Sequence, residues 1–273
     1  MIQAVAEHFP VTRARSYARP LYRPSVILCA LVAFAVMAAL SLLQLRGFDY
    51  SILRAFNSVS QRYYVLDHGI NDFTRLMFAN LLIVSLVWYA WFKTEDTGKR
   101  ATILVGTVMS LGAAILSRVL QHALPTHSRP LHDTALNFVV PLSVDPSQMN
   151  HWFSFPSDHV AIFFGLATTV YLIDKRIGWL AYILAGALSL ARIYLGFHCP
   201  TDVVAGAALG MLMIELTRGL ANTDFVRRLV PRPGESRPAF YAVAFYFCFG
   251  LTQLFTDPRE VMSGVAHYLH HVR

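Results

Sequence analysis

The chain has 273 residues, of which 55% are hydrophobic and 14% charged, with a formal net charge of +7. A soluble domain carries about 25% charged residues, so this chain cannot cover a soluble globule of its size. That excludes a cytosolic enzyme, a disordered protein and a nucleic-acid-binding module, since the basic residues sit between apolar runs and form no stripe.

Residues 1–24 are polar and carry Arg13, Arg15, Arg19 and Arg23. Ser25–Leu45 follows as an uninterrupted apolar run. At 1.5 Å per residue it spans about 31 Å, enough to cross a hydrocarbon core, and it is too long for a signal-peptide core. Further apolar runs cover Met77–Phe92, Ala101–Leu120, His159–Ile173, Ile177–Leu195, Val203–Leu216 and Ala239–Phe255. The pattern predicts an all-α, polytopic membrane helical bundle. A cytoplasmic arm, 1–24, precedes a six-span core, 25–220. A linker, a seventh span and a tail fill 221–273. The seventh run is rich in Phe and Tyr, so lying at the interface is its alternative.

More than half of the 23 basic residues fall in alternate connections: the N-terminal arm, Lys93–Arg100, Asp174–Arg176 and Arg218–Pro238. The positive-inside bias places these in the cytoplasm. Connections 46–76, 121–158 and 196–202 then face outward. The three cysteines, Cys29, Cys199 and Cys248, have the spacing of neither a disulfide framework nor a zinc site. Trp88, Trp91, Trp152 and Trp179 read as interfacial anchors. His267, His270 and His271 read as a solvated tail. His127, His132 and His151 lie in the outer connection 121–158, whose segment 131–154 is positioned to cover a site.

Three polar segments stand at outer helix ends. Arg118 and His122 are four apart near the end of a span, and Arg129-Pro130 follows; an arginine fork suits phosphate oxygens. In Phe155-Pro156-Ser157-Asp158-His159, Ser157 is a good N-cap. The first N–H groups of the helix behind it offer an anion site. In Arg192–Asp202, His198 and Asp202 are four apart and share a face at a helix start. A carboxylate on one ring nitrogen leaves the other lone pair free to attack or to accept a proton. Taken singly, each segment is also an ordinary cap or an interfacial pair. Together they put ionisable groups at bilayer depth on one side, where such groups are costly and usually functional.

The sequence at this point resembles the type 2 phosphatidic acid phosphatase superfamily of membrane lipid phosphatases. The family's motifs Lys-x6-Arg-Pro, Pro-Ser-Gly-His and Ser-Arg-x5-His-x3-Asp read here as His122-x6-Arg129-Pro130, Pro156-Ser157-Asp158-His159 and Ala191-Arg192-x5-His198-x3-Asp202. Three residues depart from the pattern: His122 replaces lysine, Asp158 replaces glycine and Ala191 replaces serine. An added carboxylate beside an anion site is unfavourable unless it pairs with an arginine. Arg118, one turn before His122, is placed to compensate for the missing lysine. Phe-Pro-Ser-Asp-His is similar to the variant in bacterial undecaprenyl pyrophosphate phosphatases of this superfamily.

The resemblance implies that His198 attacks phosphorus, Asp202 orients it and His159 protonates the leaving oxygen. It assigns Arg129, Arg192, His122, Ser157 and Asp158 to the phosphate-binding shell, with no cofactor and no metal. It implies a lipid phosphate or pyrophosphate as substrate, in a bacterial inner membrane with the site on the periplasmic or external face. Undecaprenyl pyrophosphate leads. Phosphatidic acid, phosphatidylglycerophosphate and a lipid A phosphate are the alternatives. A soluble haloperoxidase with the same motifs conflicts with the apolar spans. A transporter or a non-catalytic lipid-binding membrane protein is the reading of another class. The oligomeric state is open.

Overall fold

A computed structural model describes residues 22–75, 78–147 and 153–253. Arg13, Arg15, Arg19, His151, Trp152 and the three tail histidines lie outside the described residues. Among the described residues each of the seven apolar runs contains a helix: α1 (Pro24–Leu42), α4 (Phe78–Lys93), α5 (Thr97–Ala123), α6 (Asp158–Ile173), α7 (Lys175–Tyr194), α8 (Pro200–Thr217) and α10 (Pro238–Thr252). Helix α8 continues through a 3-10 turn, Arg218–Asn222. The protein is a multi-pass membrane protein. By length and composition α1, α5, α7 and the α8 segment can cross a bilayer, while α4, α6 and α10 are shorter apolar helices.

The connection 46–76 is more structured than its polar composition suggests. It forms two helices, α2 (Gly47–Asn57) and α3 (Tyr64–Arg75). They fold because buried polar side chains are fully used. The Asp67 carboxylate accepts N–H bonds from Gln61 at 3.1 Å and Leu142 at 3.0 Å and a short bond from the Tyr194 hydroxyl. Asn57 exchanges bonds with the backbone of Val139, and Asn71 donates to Ser143 at 2.8 Å. Residues 131–147 are thereby pinned down as a wall. That portion of the segment read as a cover is anchored to α2 and α3. A last short helix, α9 (Asp224–Leu229), joins α8 to α10.

Aspartates cap the turns between spans. Asp96 accepts from Gly98 and Lys99 at the start of α5. Asp174, just past α6, accepts from Arg176 and Ile177 at the start of α7. Each satisfies N–H groups that the first turn leaves unpaired. Ion pairs tie the basic connections together at one end of the bundle: Arg23 and Arg218 with the fully buried Glu215, and Lys93 with Asp174 at 2.6 Å. Trp91 is buried and stacks on Phe240, with ring centroids 5.5 Å apart. It is therefore a packing residue between α4 and α10, not an interfacial anchor, whereas Trp179 is exposed. Of the α10 aromatics, Phe240 and Tyr241 join this cluster, while Phe245 and Tyr246 are exposed.

The contact that positions everything else lies between α6 and α8. A Cβ added at Gly206 would stand 2.5 Å from the Ser157 carbonyl oxygen. One at Gly210 would stand 2.2 Å from the Ala161 carbonyl oxygen. Gly206-x3-Gly210 thus lets the two backbones touch, as small residues do between membrane helices. Gly210→Ala should lower the melting temperature in detergent, at a cost of about 1–3 kcal/mol for overpacking against rigid backbone. Gly186→Ala, where a Cβ meets open space, should leave it unchanged or raise it. Equal effects at the two positions would contradict the close approach.

Candidate active site

Close packing of α6 on α8 brings their N-termini together. The Ser157 N–H donates to the Asp202 carbonyl oxygen at 3.1 Å. Beside this junction run the C-terminal turns of α5 and α7, with Ser117, Arg118 and Gln121 on one and Arg192 on the other. Ser117 and Gln121 both donate to the Pro156 carbonyl oxygen, at 2.8 and 2.6 Å. This fixes the turn that precedes Ser157.

His198 is buried in the loop between α7 and α8. Gly196, at φ +74°, makes the sharp entry to that loop. The Nδ1 of His198 lies 3.1 Å from the Ser154 carbonyl oxygen and 3.6 Å from Asp202 Oδ2. Its Nε2 faces Arg129 Nη1 at 3.4 Å. These partners assign the proton to Nδ1 and a lone pair to Nε2. Burial, reinforced by the Arg129 cation, holds the imidazole down at about 4 against the pull of Asp202. The ring is neutral at neutral pH.

Asp202 does more than orient this ring. Its Oδ2 accepts the Cys199 N–H at 2.7 Å, closing a capping box at the start of α8. Its Oδ1 faces His127 Nε2 at 3.4 Å. The nearer acceptor for His198 is the Ser154 carbonyl, which the sequence motif does not reveal.

Arg129 donates to the Phe197 carbonyl oxygen at 2.6 Å. Arg129 and Arg192 are both buried, and among the described residues the Nε of each has no hydrogen-bond partner. The buried Ser157 hydroxyl is in the same position. Ser157 occupies the N-cap position without capping, so its hydroxyl remains available to a ligand. Buried donors without acceptors are costly. An anion with several oxygens relieves that cost, and phosphate has the matching geometry.

Three expected roles change. Asp158 is engaged by protein partners rather than left open to a phosphate. Its Oδ2 pairs with Arg118 Nη2 at 2.8 Å, and its Oδ1 takes both the N–H and Nδ1 of His159, at 2.8 and 2.9 Å. It neutralises one arginine and turns His159 so that Nε2 is the free ring nitrogen. The backbone donors expected around Ser157–His159 are partly used up, since Ser157 N–H and His159 N–H have these internal acceptors. His122 is exposed on the last turn of α5, outside the buried cluster, and its neighbour Gln121 is the buried one. His159 is half-buried, its side chain 24% exposed. With Arg118, it has a route to water.

The model of the PAP2 superfamily matches residues 125–224, the segment that holds Arg129, Ser157–His159, Arg192, His198 and Asp202. The bacitracin transport permease protein BcrC of Bacillus licheniformis is 31% identical over 160 residues, covering 58% of this chain and 73% of that protein. This chain belongs to the PAP2 superfamily. It is a membrane lipid phosphatase by family. The undecaprenyl-diphosphatase BcrC of Bacillus subtilis is 23% identical, over 67% of this chain and 86% of that protein. The transmembrane PAP2-type phosphatidylglycerolphosphate phosphatase of Bacillus subtilis has the same fold, with a TM-score of 0.50 and 23% identity. The match covers 71% of this chain and 94% of that one.

The Arg118–Asp158 pair gives a direct check on this PAP2 site. Arg118→Ala should destabilise the protein by about 2 kcal/mol. That is below the ~3–5 kcal/mol of a fully buried pair because Arg118 is partly exposed. Adding Asp158→Asn should recover most of the loss in thermal unfolding. Additive losses in the double variant would contradict the pairing.

Proposed function

We propose that this PAP2 phosphatase hydrolyses undecaprenyl pyrophosphate to the monophosphate through a phosphohistidine on His198. The observation that carries this reading is the buried His198, whose Nδ1 faces the Ser154 carbonyl and Asp202. Its Nε2 lone pair stands beside Arg129, where, among the described residues, Arg129, Arg192 and Ser157 hold unpartnered donors. Nε2 attacks the terminal phosphorus while the bond to the bridging oxygen breaks. Arg129 and Arg192 take the equatorial oxygens, with Ser157, as charge spreads over them. His159, oriented by Asp158, delivers a proton to the leaving oxygen and then takes one from the water that cleaves the phosphohistidine. Asp202 and the Ser154 carbonyl hold the imidazolium formed in between.

The same proposal includes the topology. Six helices, α1, α4, α5, α6, α7 and α8, cross the membrane within 25–220, and α10 crosses as a seventh. The arm 1–24 and the linker after α8 lie in the cytoplasm, and the site faces the periplasmic or external side. The basic end formed by Arg23, Lys93, Lys175 and Arg218 supports this orientation. The Ser-Asp-His variant and the name of the Bacillus subtilis BcrC relative support the pyrophosphate substrate. A phosphate at the headgroup layer with its tail in lipid suits a site at the ends of apolar helices.

Detergent-purified protein in excess EDTA should release phosphate from undecaprenyl pyrophosphate faster than from phosphatidic acid or phosphatidylglycerophosphate. His198→Ala should lower that rate about 10³-fold or more. Preference for another lipid would replace the substrate while keeping the chemistry. Turnover that survives His198→Ala, or that EDTA abolishes, would overturn the mechanism.

A further inference from the structure

Three groups of metal-ligand type meet behind the phosphate cradle: Asp49 of α2, His127 of the loop after α5, and Cys199 at the N-cap of α8. All three are buried. Each offers one ligand atom, and these atoms lie within 4.8 Å of one another. His127 Nδ1 stands 3.8 Å from Cys199 Sγ, and also 3.0 Å from Ser154 Oγ and 3.1 Å from the Ser128 carbonyl oxygen, contacts that a metal on Nδ1 replaces. A tetrahedral zinc with sulfur at about 2.3 Å and nitrogen at about 2.0–2.1 Å sets those atoms about 3.6 Å apart. Phosphoryl transfer as derived above uses none of the three as a reacting group.

We propose that Asp49, His127 and Cys199 form a binding site for a thiophilic divalent cation, Zn²⁺ in nature and Cd²⁺ as a probe, distinct from the catalytic site. The surroundings already have the form of a second ligand shell. A metal-bound histidine donates its other ring N–H to a carboxylate, and His127 Nε2 faces Asp202 Oδ1 at 3.4 Å. Among the described residues, that nitrogen and that oxygen are both buried without a hydrogen-bond partner. A ligating carboxylate is itself held by donors, and Thr201 holds both oxygens of Asp49, through N–H at 2.9 Å and Oγ1 at 2.8 Å. One thiolate and one carboxylate neutralise a dication. The nearby Arg46, 3.6 Å from Sγ, has its own acid in Asp133 at 3.1 Å. As the metal–sulfur bond forms, the Cys199 thiol proton leaves to solvent.

The site reaches the nucleophile through one residue. Asp202 Oδ1 faces His127, and its Oδ2 lies 3.6 Å from His198 Nδ1. A bound cation makes the His127 N–H a stronger donor, draws Asp202 towards it and loosens the hold on His198. Occupancy should therefore lower phosphatase turnover and be reversed by chelation.

The test uses the full chain in detergent with Cys29→Ala and Cys248→Ala, so that Cys199 is the one thiol. Titration with Cd²⁺ alone should give an ultraviolet thiolate-to-cadmium charge-transfer band that saturates at one equivalent. The band should vanish in Cys199→Ala, and Asp49→Asn should weaken the affinity about tenfold or more. Absence of the band in the two-cysteine parent, or an undiminished band in Cys199→Ala, would overturn the site. The readout needs no substrate, so it stands apart from the proposed lipid chemistry.

Discussion

The site depends on two backbones that touch. Gly206 and Gly210 let α8 lie against the carbonyls of Ser157 and Ala161 in α6. Without that approach, Ser157 N–H would not reach the Asp202 carbonyl, and the two helix starts would part. His159 comes from one start, and His198 with Asp202 from the other. Two of the chemistry-bearing segments are thus adjacent because a helix pair with almost no side-chain thickness joins them. Membrane helices lack a hydrophobic drive between them, so van der Waals contact of this kind carries much of the packing.

Charge at that junction is arranged in two classes. Arg118 is spent internally on Asp158, which in turn fixes His159. Among the described residues, Arg129 and Arg192 keep an unpartnered Nε each. The extra carboxylate makes its direct ion pair with Arg118 and not with Arg129 or Arg192. The low dielectric that makes these unpaired donors costly also makes them effective when a transferring phosphoryl group spreads its charge. The same burial lowers the proton affinity of His198, which suits the nucleophile role proposed for it. Buried donors without acceptors cost stability, and an anion accepting from them would restore it.

Much of this was legible in the sequence. Among the described residues each of the seven apolar runs contains a helix, and the alternation of basic connections gathered Arg23, Lys93 and Arg218 at one end. Motif spacing brought Arg129, Ser157, Arg192, His198 and Asp202 to one region, because helix starts and ends are marked by proline, serine and aspartate. Side-chain direction was less legible. Nothing in Pro-Ser-Asp-His says that Asp158 turns back on Arg118, or that the Ser157 hydroxyl leaves its cap. His122 and His127 are both histidines of one segment, yet helix phase exposes the first and a loop buries the second. Helices α2 and α3 were hidden because their buried positions are filled by Asp49, Asp67 and Asn71, which read as polar loop.

The central claim is that His198 Nε2 is the atom that receives the phosphoryl group. Rapid acid-free quenching of enzyme mixed with terminally radiolabelled undecaprenyl pyrophosphate, followed by alkaline proteolysis and mass spectrometry, tests it directly. The account predicts transient label on the peptide that contains His198, stable in alkali and lost in acid. Label on another residue, or burst turnover with no labelled protein at any time, would contradict it.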